Sequence, residues 1–199
     1  MGRPFGKGKK SKATRKLPLH LEHSRGRSQA IRLVLEPMRV ADVEEVTALD
    51  RLCFPEEAWP AALYRSELGD ELHCLYLVVR IADDHRPGSV VANAGCRLYG
   101  DQAQITTIAT NPEWRRHRIA EWLLLHLLRA VRDAGVTTVT LEVRESNAAA
   151  QGLYRKHGFV VADRVTGYYE DEAALVLALF DLDDPHVWQR LQVGLQHVG

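Results

Sequence analysis

Residues 105–158 read ITTIATNPEWRRHRIAEWLLLHLLRAVRDAGVTTVTLEVRESNAAAQGLYRKHG, and this segment predicts the central unit of the fold. A β-rich run over 104–110 precedes a long helix, whose apolar residues recur every three or four positions over 119–131. Gly135 ends that helix, and the alternating run 137–143 predicts a second strand. Because a crossover helix joins the two strands, we expect them to be parallel neighbours in one sheet.

The flanking sequence adds elements on both sides of this unit. Further strands are predicted over 31–38, 74–81, 90–98, 159–169 and 173–182, and further helices over 42–53, 59–69 and 147–158. Consecutive strands joined by turns should pair in antiparallel fashion. We therefore predict an α/β fold of the α+β kind, with a mixed, mostly antiparallel sheet of about seven strands and helices on both faces.

The composition is that of a soluble globular protein. The chain has 199 residues, of which 46% are hydrophobic and 26% charged, enough for one domain with a tail. Its apolar runs fall short of the roughly 20 residues that a transmembrane helix needs, and no secretory signal is visible. Cys53, Cys74 and Cys96 form no CxxC pair, which favours free thiols in a reducing compartment. We expect a cytoplasmic protein without membrane contact, and no residue spacing indicates a metal site.

Charge is divided unevenly along the chain, although the formal net charge is zero. Residues 1–30 carry nine Lys or Arg and one acid, whereas the remainder carries 17 basic and 25 acidic residues. With few aliphatic residues, 1–30 reads as a basic disordered tail. It is either a solvated leader or a tether to a ribosome or nucleic acid, because basic arms bind phosphates through counterion release. We place the main domain at 31–182 and an amphipathic C-terminal extension at 183–199.

Two segments carry residues suited to chemistry. The basic segment 115–118 lies between a strand end and a helix start, where unpaired N–H groups can hold a phosphate, although a solvated basic surface is the simpler interpretation. Glu142 lies near the end of an interior strand and alternates with Leu141 and Val143. Its carboxylate either pairs with a neighbouring Arg or serves as a general base in a crevice at the strand ends.

These segments carry a family resemblance. The run ITTIATNP at 105–112, the run RRHRIA at 115–120, and LEVR-x-SNAAA-x-x-LY-x-x-x-GF ending at Phe159 resemble the GNAT superfamily of acetyl-CoA-dependent N-acetyltransferases. Within it, the chain resembles the RimI type, which the CFP at 53–55 and the RVTGYY at 164–169 also match. The resemblance covers about 31–182 and implies a GNAT fold, whose sheet splays between its two parallel strands.

The resemblance also implies roles for the matching positions. Glu142 would be the general base and Tyr154 the general acid. Backbone N–H groups of the loop and helix start would hold the pyrophosphate of acetyl-CoA, and the pantetheine would lie along the preceding strand. The implied cofactor-binding positions are Ile108, Ala109, Thr110, Arg115, Arg116, His117, Arg118, Ile119, Ala120, Glu121 and Asn147. The implied acceptor-binding positions are Phe54, Trp59, Tyr168 and Tyr169.

One position departs from the family pattern. The family loop reads Q/R-x-x-G-x-G/A, and Arg118 stands where the first glycine would be. Glycine permits the closest approach of backbone to phosphate. We expect Arg118 to keep a helical conformation and to donate its N–H, while its side chain either grips a phosphate or crowds the pyrophosphate.

The activity implied by the resemblance is acetylation of a protein N-terminus, for the RimI type the N-terminal alanine of a ribosomal protein. An α-amine has a pKa near 8, against about 10.4 for Lys, so it needs less help to become neutral. The acidic domain also suits a basic polypeptide acceptor. Two alternatives stay open: an acetyltransferase for a small-molecule amine, and a non-catalytic domain that binds acyl-CoA or ribosomes.

Overall fold

A computed structural model describes residues 15–20, 30–82 and 88–198. The strands are β1 (Arg15–His20), β2 (Ala30–Pro37), β3 (Cys74–Ile81), β4 (Val90–Tyr99), β5 (Gln102–Thr110), β6 (Thr138–Arg144), β7 (Val160–Val165) and β8 (Ala174–Leu179). The helices are α1 (Val43–Cys53), α2 (Ala61–Gly69), α3 (Ile119–Asp133), α4 (Ala148–Lys156) and α5 (Pro185–Val198). No helix among the described residues combines the length and the apolarity that a membrane crossing requires.

The strands form one mixed sheet, in the order β1-β2-β3-β4-β5-β6-β8-β7. Every pair of neighbours is antiparallel except β5 and β6, which are parallel and joined by α3. The predicted mixed, mostly antiparallel sheet with helices around it is therefore confirmed. The strand predicted over 159–169 ends earlier, at Val165, because the chain turns at Gly167, whose φ of 71° glycine adopts without strain.

The two parallel strands separate halfway along their length. They pair from Gln102 opposite Thr138 to Ile105 opposite Leu141, and there the pairing between them ends. β5 continues to Thr110 alongside β4, and β6 continues to Arg144 alongside β8. The separating ends leave a groove at the carboxyl ends of both strands, as the sequence predicts.

Two apolar clusters cover the two faces of the sheet. The larger one packs α3, with Leu123, Leu124 and Leu127 fully buried, against the sheet and against α5. The smaller one packs α1 and α2 on the opposite face. Helices on both faces thus fix the sheet from either side. The extension beyond 183 contributes Trp188 and Leu191 to the larger cluster, so it packs on its own domain.

The strand β1 differs from the expectation for the N-terminal segment. Composition indicates disorder over 1–30, whereas Arg15–His20 pairs with β2 in antiparallel fashion, from Arg15 opposite Leu35 to His20 opposite Ala30. The physical reason is that an edge strand joins a sheet through backbone hydrogen bonds, which do not require a large apolar content. The rest of the predicted tail, 1–14 and 21–29, lies outside the described residues.

Candidate active site

Glu142 lies on β6 just beyond the last residue that pairs with β5. Its neighbours Leu141 and Val143 are buried in the larger cluster, so Glu142 occupies the opposite face and is partly exposed. The amide Nε2 of Gln104, on β5, donates hydrogen bonds to both carboxylate oxygens at 3.0 Å. The partner of Glu142 is therefore a neutral amide rather than an Arg, and it fixes the orientation of the carboxylate.

Two tyrosines of the segment between β7 and β8 lie near this carboxylate. The rings of Tyr168 and Tyr169 are 5.0 Å apart and nearly perpendicular, and Tyr168 is 51% exposed. Burial raises the pKa of both phenols, and the negative charge of Glu142 adds to both shifts. The pKa of Tyr169 reaches about 12. The structure thus brings Glu142 and this predicted acceptor-binding pair together.

Tyr154 lies on α4 and packs in the larger cluster. It is buried, and its ring lies 5.6 Å from that of Phe159. Burial raises the pKa of Tyr154 to about 12, with a smaller contribution from Tyr169. The phenol therefore keeps its proton at neutral pH. Tyr169 contributes to the raised pKa of Tyr154, and Glu142 contributes to that of Tyr169. A joint catalytic role of Tyr154 and Glu142 stays a prediction.

Phe54 and Trp59 lie in the segment between α1 and α2. Both are partly buried and pack against the smaller cluster, where the Trp59 ring lies 5.6 Å from Tyr64. Their contacts are thus with the core beneath α2. A role of these two side chains in binding an acceptor stays a prediction.

The start of α3 has the geometry of an anion-binding loop. The first hydrogen bond within the helix runs from Trp122 N to Arg118 O, so the N–H groups of Ile119, Ala120 and Glu121 precede the helical ladder. The preceding loop contains Arg116 with a φ of 68°. Ile119 is buried in the larger cluster, so only its backbone can face a ligand. Backbone donors at a helix start fit the phosphates of a nucleotide cofactor.

Arg118 differs from the expectation in its backbone, whereas a contact of its side chain with a phosphate stays a prediction. Its φ of 59° and ψ of 16° place it in the left-handed region, which favours glycine, and not in the expected helical conformation. Its Nε donates to Glu121 Oε2 at 2.9 Å, so the side chain folds back along the helix. The family pattern has glycine at this position, and the left-handed backbone explains why, since glycine adopts that conformation without strain.

Glu121 is the centre of a buried ion cluster. It also accepts hydrogen bonds from Lys156 Nζ at 2.7 Å and lies 3.0 Å from His157 Nε2. Burial alone would raise the pKa of Glu121, but the hydrogen bonds from Arg118 and Lys156 outweigh it and lower the pKa to about 2. The side chain of Glu121 therefore ties α3 to the end of α4, and a role in cofactor binding is left to its backbone N–H.

The end of β5 is a second place where a cofactor could bind. Thr110 Oγ1 is buried and has no hydrogen-bond partner among the described residues. Ala109 is buried in the smaller cluster, whereas Ile108 packs partly against the larger one. Cys53 Sγ donates to Thr110 O at 3.3 Å, and burial raises the pKa of this thiol. The orphaned hydroxyl and the open strand edge fit a polar ligand laid along β5.

Asn147 serves as the N-cap of α4. Its Oδ1 accepts a hydrogen bond from Ala150 N at 3.1 Å, as the predicted helix start requires. A contact with a cofactor stays a prediction, as it does for Arg115, Arg116 and His117. Among the described residues, no cluster of His, Cys, Asp and Glu side chains could hold a metal ion.

The roles of two residues in this site are not predicted from the sequence. Gln104 lies opposite Thr140 in the parallel register, which places its amide beside Glu142. Strand alternation puts Gln104 on the polar face of β5, but only the register identifies its partner. Arg144 lies on the same face of β6 as Glu142 and hydrogen-bonds Glu57 and Glu172. The basic residue is visible in the sequence, and its partners are not.

Comparisons with known proteins identify the family of this chain. The model of the Acetyltransferase (GNAT) family matches residues 43–159. The [ribosomal protein bS18]-alanine N-acetyltransferase of Escherichia coli strain K12 is 33% identical over 125 residues, which cover 61% of this chain and 80% of that protein. A Bacillus subtilis protein that carries the same name in provisional form is 31% identical over 142 residues, covering 70% and 90%.

Solved structures show the same fold. The crystal structure of the ribosomal-protein-S18-alanine N-acetyltransferase from Escherichia coli superimposes with a TM-score of 0.66 at 27% identity, over 75% of this chain and 94% of that one. The NatC complex bound to Gag peptide and CoA shares the fold, with a TM-score of 0.63 at 22% identity over 74% and 98%. By its sequence and by its splayed sheet, the chain belongs to the GNAT family of acetyltransferases.

Proposed function

We propose that this protein transfers the acetyl group of acetyl-CoA to the N-terminal amine of a protein, with the N-terminal alanine of ribosomal protein bS18 as the acceptor to test first. The names of the Escherichia coli and Bacillus subtilis relatives support this acceptor. The observation that carries the proposal is the carboxylate of Glu142, which Gln104 orients at the point where β5 and β6 separate.

Glu142 is the proposed general base. An α-amine with a pKa near 8 is mostly protonated at pH 7, and it must lose a proton before it can attack. A carboxylate can accept that proton directly or through one water molecule. Because Gln104 donates to both of its oxygens, Glu142 presents a fixed carboxylate to the groove rather than a rotating one.

Tyr154 is the proposed general acid. With a pKa of about 12, it holds its proton at Oη and can donate a hydrogen bond to a leaving sulfur. A thiol has an ordinary pKa near 8.5, so this phenol is the weaker acid, and donation of a hydrogen bond is favoured over complete proton loss. Backbone N–H groups at the end of β5, near Thr110, would stabilise negative charge on the acyl oxygen.

Acetyl-CoA supplies the activated acetyl thioester. The N–H groups at the start of α3 would bind its pyrophosphate, together with the basic loop from Arg115 to Arg118. The open edge of β5 over Ile108, Ala109 and Thr110 would hold its pantetheine arm.

The acceptor would enter beside Tyr168 and Tyr169, whose phenols interact electrostatically with Glu142. Phe54 and Trp59, which pack against the smaller cluster, would contribute the edge of the segment between α1 and α2. The excess of acidic residues after position 30 favours a basic polypeptide. A ribosomal-protein acceptor also favours a cytoplasmic location. The nine Lys and Arg of 1–30 would add contacts with a ribosome or with nucleic acid.

The test is intact-mass analysis of acceptors after incubation with acetyl-CoA, with release of CoA thiol followed in parallel. The acceptors are the bS18 N-terminal peptide, the same peptide with a blocked N-terminus, and a panel of small amines including polyamines. One added acetyl group on the free peptide only supports the proposal. Turnover of small amines alone would indicate the small-molecule alternative, and binding of acetyl-CoA without thiol release would indicate a non-catalytic domain.

A further inference from the structure

Arg144 connects two segments that are distant from each other in the sequence. The first is the α1–α2 segment, residues 54–60, and the second is the β7–β8 segment, residues 166–173. Arg144 Nε donates to Glu57 Oε1 of the α1–α2 segment at 3.1 Å, and its Nη2 makes a further ion pair with the same carboxylate. Its Nη1 donates to Asp171 at 2.6 Å and to Glu172 at 2.8 Å, both in the β7–β8 segment.

The same guanidinium lies against the predicted acceptor-binding pair. Its central carbon is 4.2 Å from the centroid of the Tyr169 ring, within the range of a cation–π contact. Arg144 also lies two positions after Glu142 on the same face of β6. One side chain therefore links the base-bearing strand, a ring that flanks the base, and both segments at the groove mouth.

We propose that Arg144 is a positioning residue, whose guanidinium joins the α1–α2 and β7–β8 segments and so sets the shape of the acceptor entrance. This inference rests on the proposed function. A guanidinium presents five N–H donors in a fixed plane, so it can bind three carboxylates while its face stacks on an aromatic ring. A lysine ammonium has three donors and no planar face, so it cannot reproduce this arrangement. Arg144 is suited to this task because its side chain is 23% exposed, so water competes only in part for its donors.

The two segments depend on Arg144 to different degrees. Glu172 also accepts hydrogen bonds from Ser146 N and Ser146 Oγ, both at 2.8 Å, so its place is fixed without Arg144. Among the described residues, the Glu57 carboxylate accepts its hydrogen bonds from Arg144 alone. Loss of the guanidinium should therefore free the α1–α2 segment first.

The strand itself should survive this loss. The backbone of Arg144 pairs opposite Ala174 in β8, and its carbonyl accepts a hydrogen bond from Gln151 Nε2 at 3.2 Å. The hydrogen bonds that its side chain makes within the described part of the chain are with the α1–α2 and β7–β8 segments. We accordingly expect a change in acceptor binding while acetyl-CoA binding is preserved.

The experiment compares R144Q, R144K and E57Q with the control R164Q. Arg164 is a suitable control, because it also makes two hydrogen bonds to one carboxylate, that of Glu145, but both side chains are about half exposed. In R144Q and R144K, the KM for the acceptor peptide should rise about tenfold, the factor that corresponds to one lost charge-assisted hydrogen bond. The KM for acetyl-CoA and kcat should stay within about twofold of the unmodified protein, and R164Q should change none of the three.

E57Q removes the same contact from the opposite side. It should raise the peptide KM in the same direction, and the double variant R144Q/E57Q should add little to R144Q. An unchanged peptide KM in R144Q, rescue by R144K, or an equal rise in the KM for acetyl-CoA would overturn the proposal.

Hydrogen exchange tests whether Arg144 joins the two segments, and it does not require an activity measurement. Amides of 54–60 should exchange faster in R144Q than in R164Q, whereas those of α3 should be unaffected. Equal exchange of 54–60 in the two variants would overturn the proposed connection. If the unmodified protein acetylates no peptide, the proposed function fails, and the exchange comparison still decides whether Arg144 joins the two segments.

Discussion

Asp50 offers a quantitative test, because it is a buried carboxyl whose hydrogen-bond partners are neutral groups. It lies on α1, is 2% exposed, and accepts a hydrogen bond from Tyr64 Oη. Its Oδ1 has no hydrogen-bond partner among the described residues. Burial raises the pKa of Asp50 from 3.8 to about 6, although the hydrogen bonds from Tyr64 and Asn93 act in the opposite direction.

The raised pKa makes the free energy of unfolding depend on pH. Between pH 4 and 6 the folded protein binds more protons at Asp50 than the unfolded chain does, so stability falls as the pH rises. Above pH 6 the carboxyl is ionised in both states and the loss is complete. The shift from 3.8 to about 6 corresponds to about 3 kcal/mol of lost stability at pH 7.

Asp50→Asn should remove this loss. The amide retains an oxygen that can accept the hydrogen bond from Tyr64, and it carries no charge to bury. We expect the variant to match the unmodified protein near pH 4 and to exceed its free energy of unfolding by about 2–3 kcal/mol at pH 7. Urea denaturation followed by tryptophan fluorescence at pH 4, 5, 6 and 7 measures the difference.

A second variant controls for the loss of one negative charge. Asp101 is exposed, and Asp101→Asn should change stability by less than about 0.5 kcal/mol at each pH. The reasoning is refuted if Asp50→Asn is less stable than the unmodified protein at pH 7. It is equally refuted if the stability difference between the two proteins does not vary from pH 4 to pH 7.

Three further variants test the active site. Glu142→Gln should lower kcat at pH 7 by about 10²–10⁴ and leave the Kd for acetyl-CoA unchanged; an unaltered rate of thiol release would remove Glu142 from the mechanism. Gln104→Leu takes both hydrogen bonds from Glu142 and should lower kcat about tenfold, and a change confined to KM would contradict this orienting role. Arg118→Gly relieves a left-handed backbone and gives up a partly exposed ion pair with Glu121, so thermal unfolding should show stability changed by less than about 1 kcal/mol. Acetyl-CoA should bind the Arg118→Gly variant within about threefold of the unmodified protein by calorimetry, and tenfold weaker binding would show that Arg118 grips a phosphate.

Local signals in the sequence predict most element boundaries. Gly135 and Asn147 mark the end of α3 and the start of α4, because a residue with positive φ and a side-chain cap are needed at those places. The alternation around Glu142 predicts which side of β6 it occupies. These features depend on neighbours within a few positions, which is the range over which sequence patterns are informative.

Contacts between distant segments could not be predicted in this way. Arg144 and Glu57 are 87 positions apart, and their pairing depends on how two loops meet above the sheet. The partner of Gln104 depends on the register between β5 and β6. These strands are parallel and joined by a helix, so no tight turn fixes their register. The left-handed backbone of Arg118 could not be predicted, because arginine seldom adopts it and the residue type therefore favours a helical conformation.

The separation of β5 from β6 has a local cause that links the fold to the chemistry. The register between β4 and β5 shifts at the step from Gly95 to Cys96, so Thr106 is the extra residue of a β-bulge directly after the last parallel pair. A bulge bends its strand and increases the local twist, which turns the end of β5 away from β6. Gly95 permits this geometry, because a Cβ there would lie 2.0 Å from Cε1 of Tyr76. The Tyr76 hydroxyl in turn lies 3.2 Å from Thr106 Oγ1, so one packed aromatic side chain supports the bulge. The groove that presents Glu142 is therefore opened by a backbone irregularity on the neighbouring strand, β5, and not on the strand that carries the base.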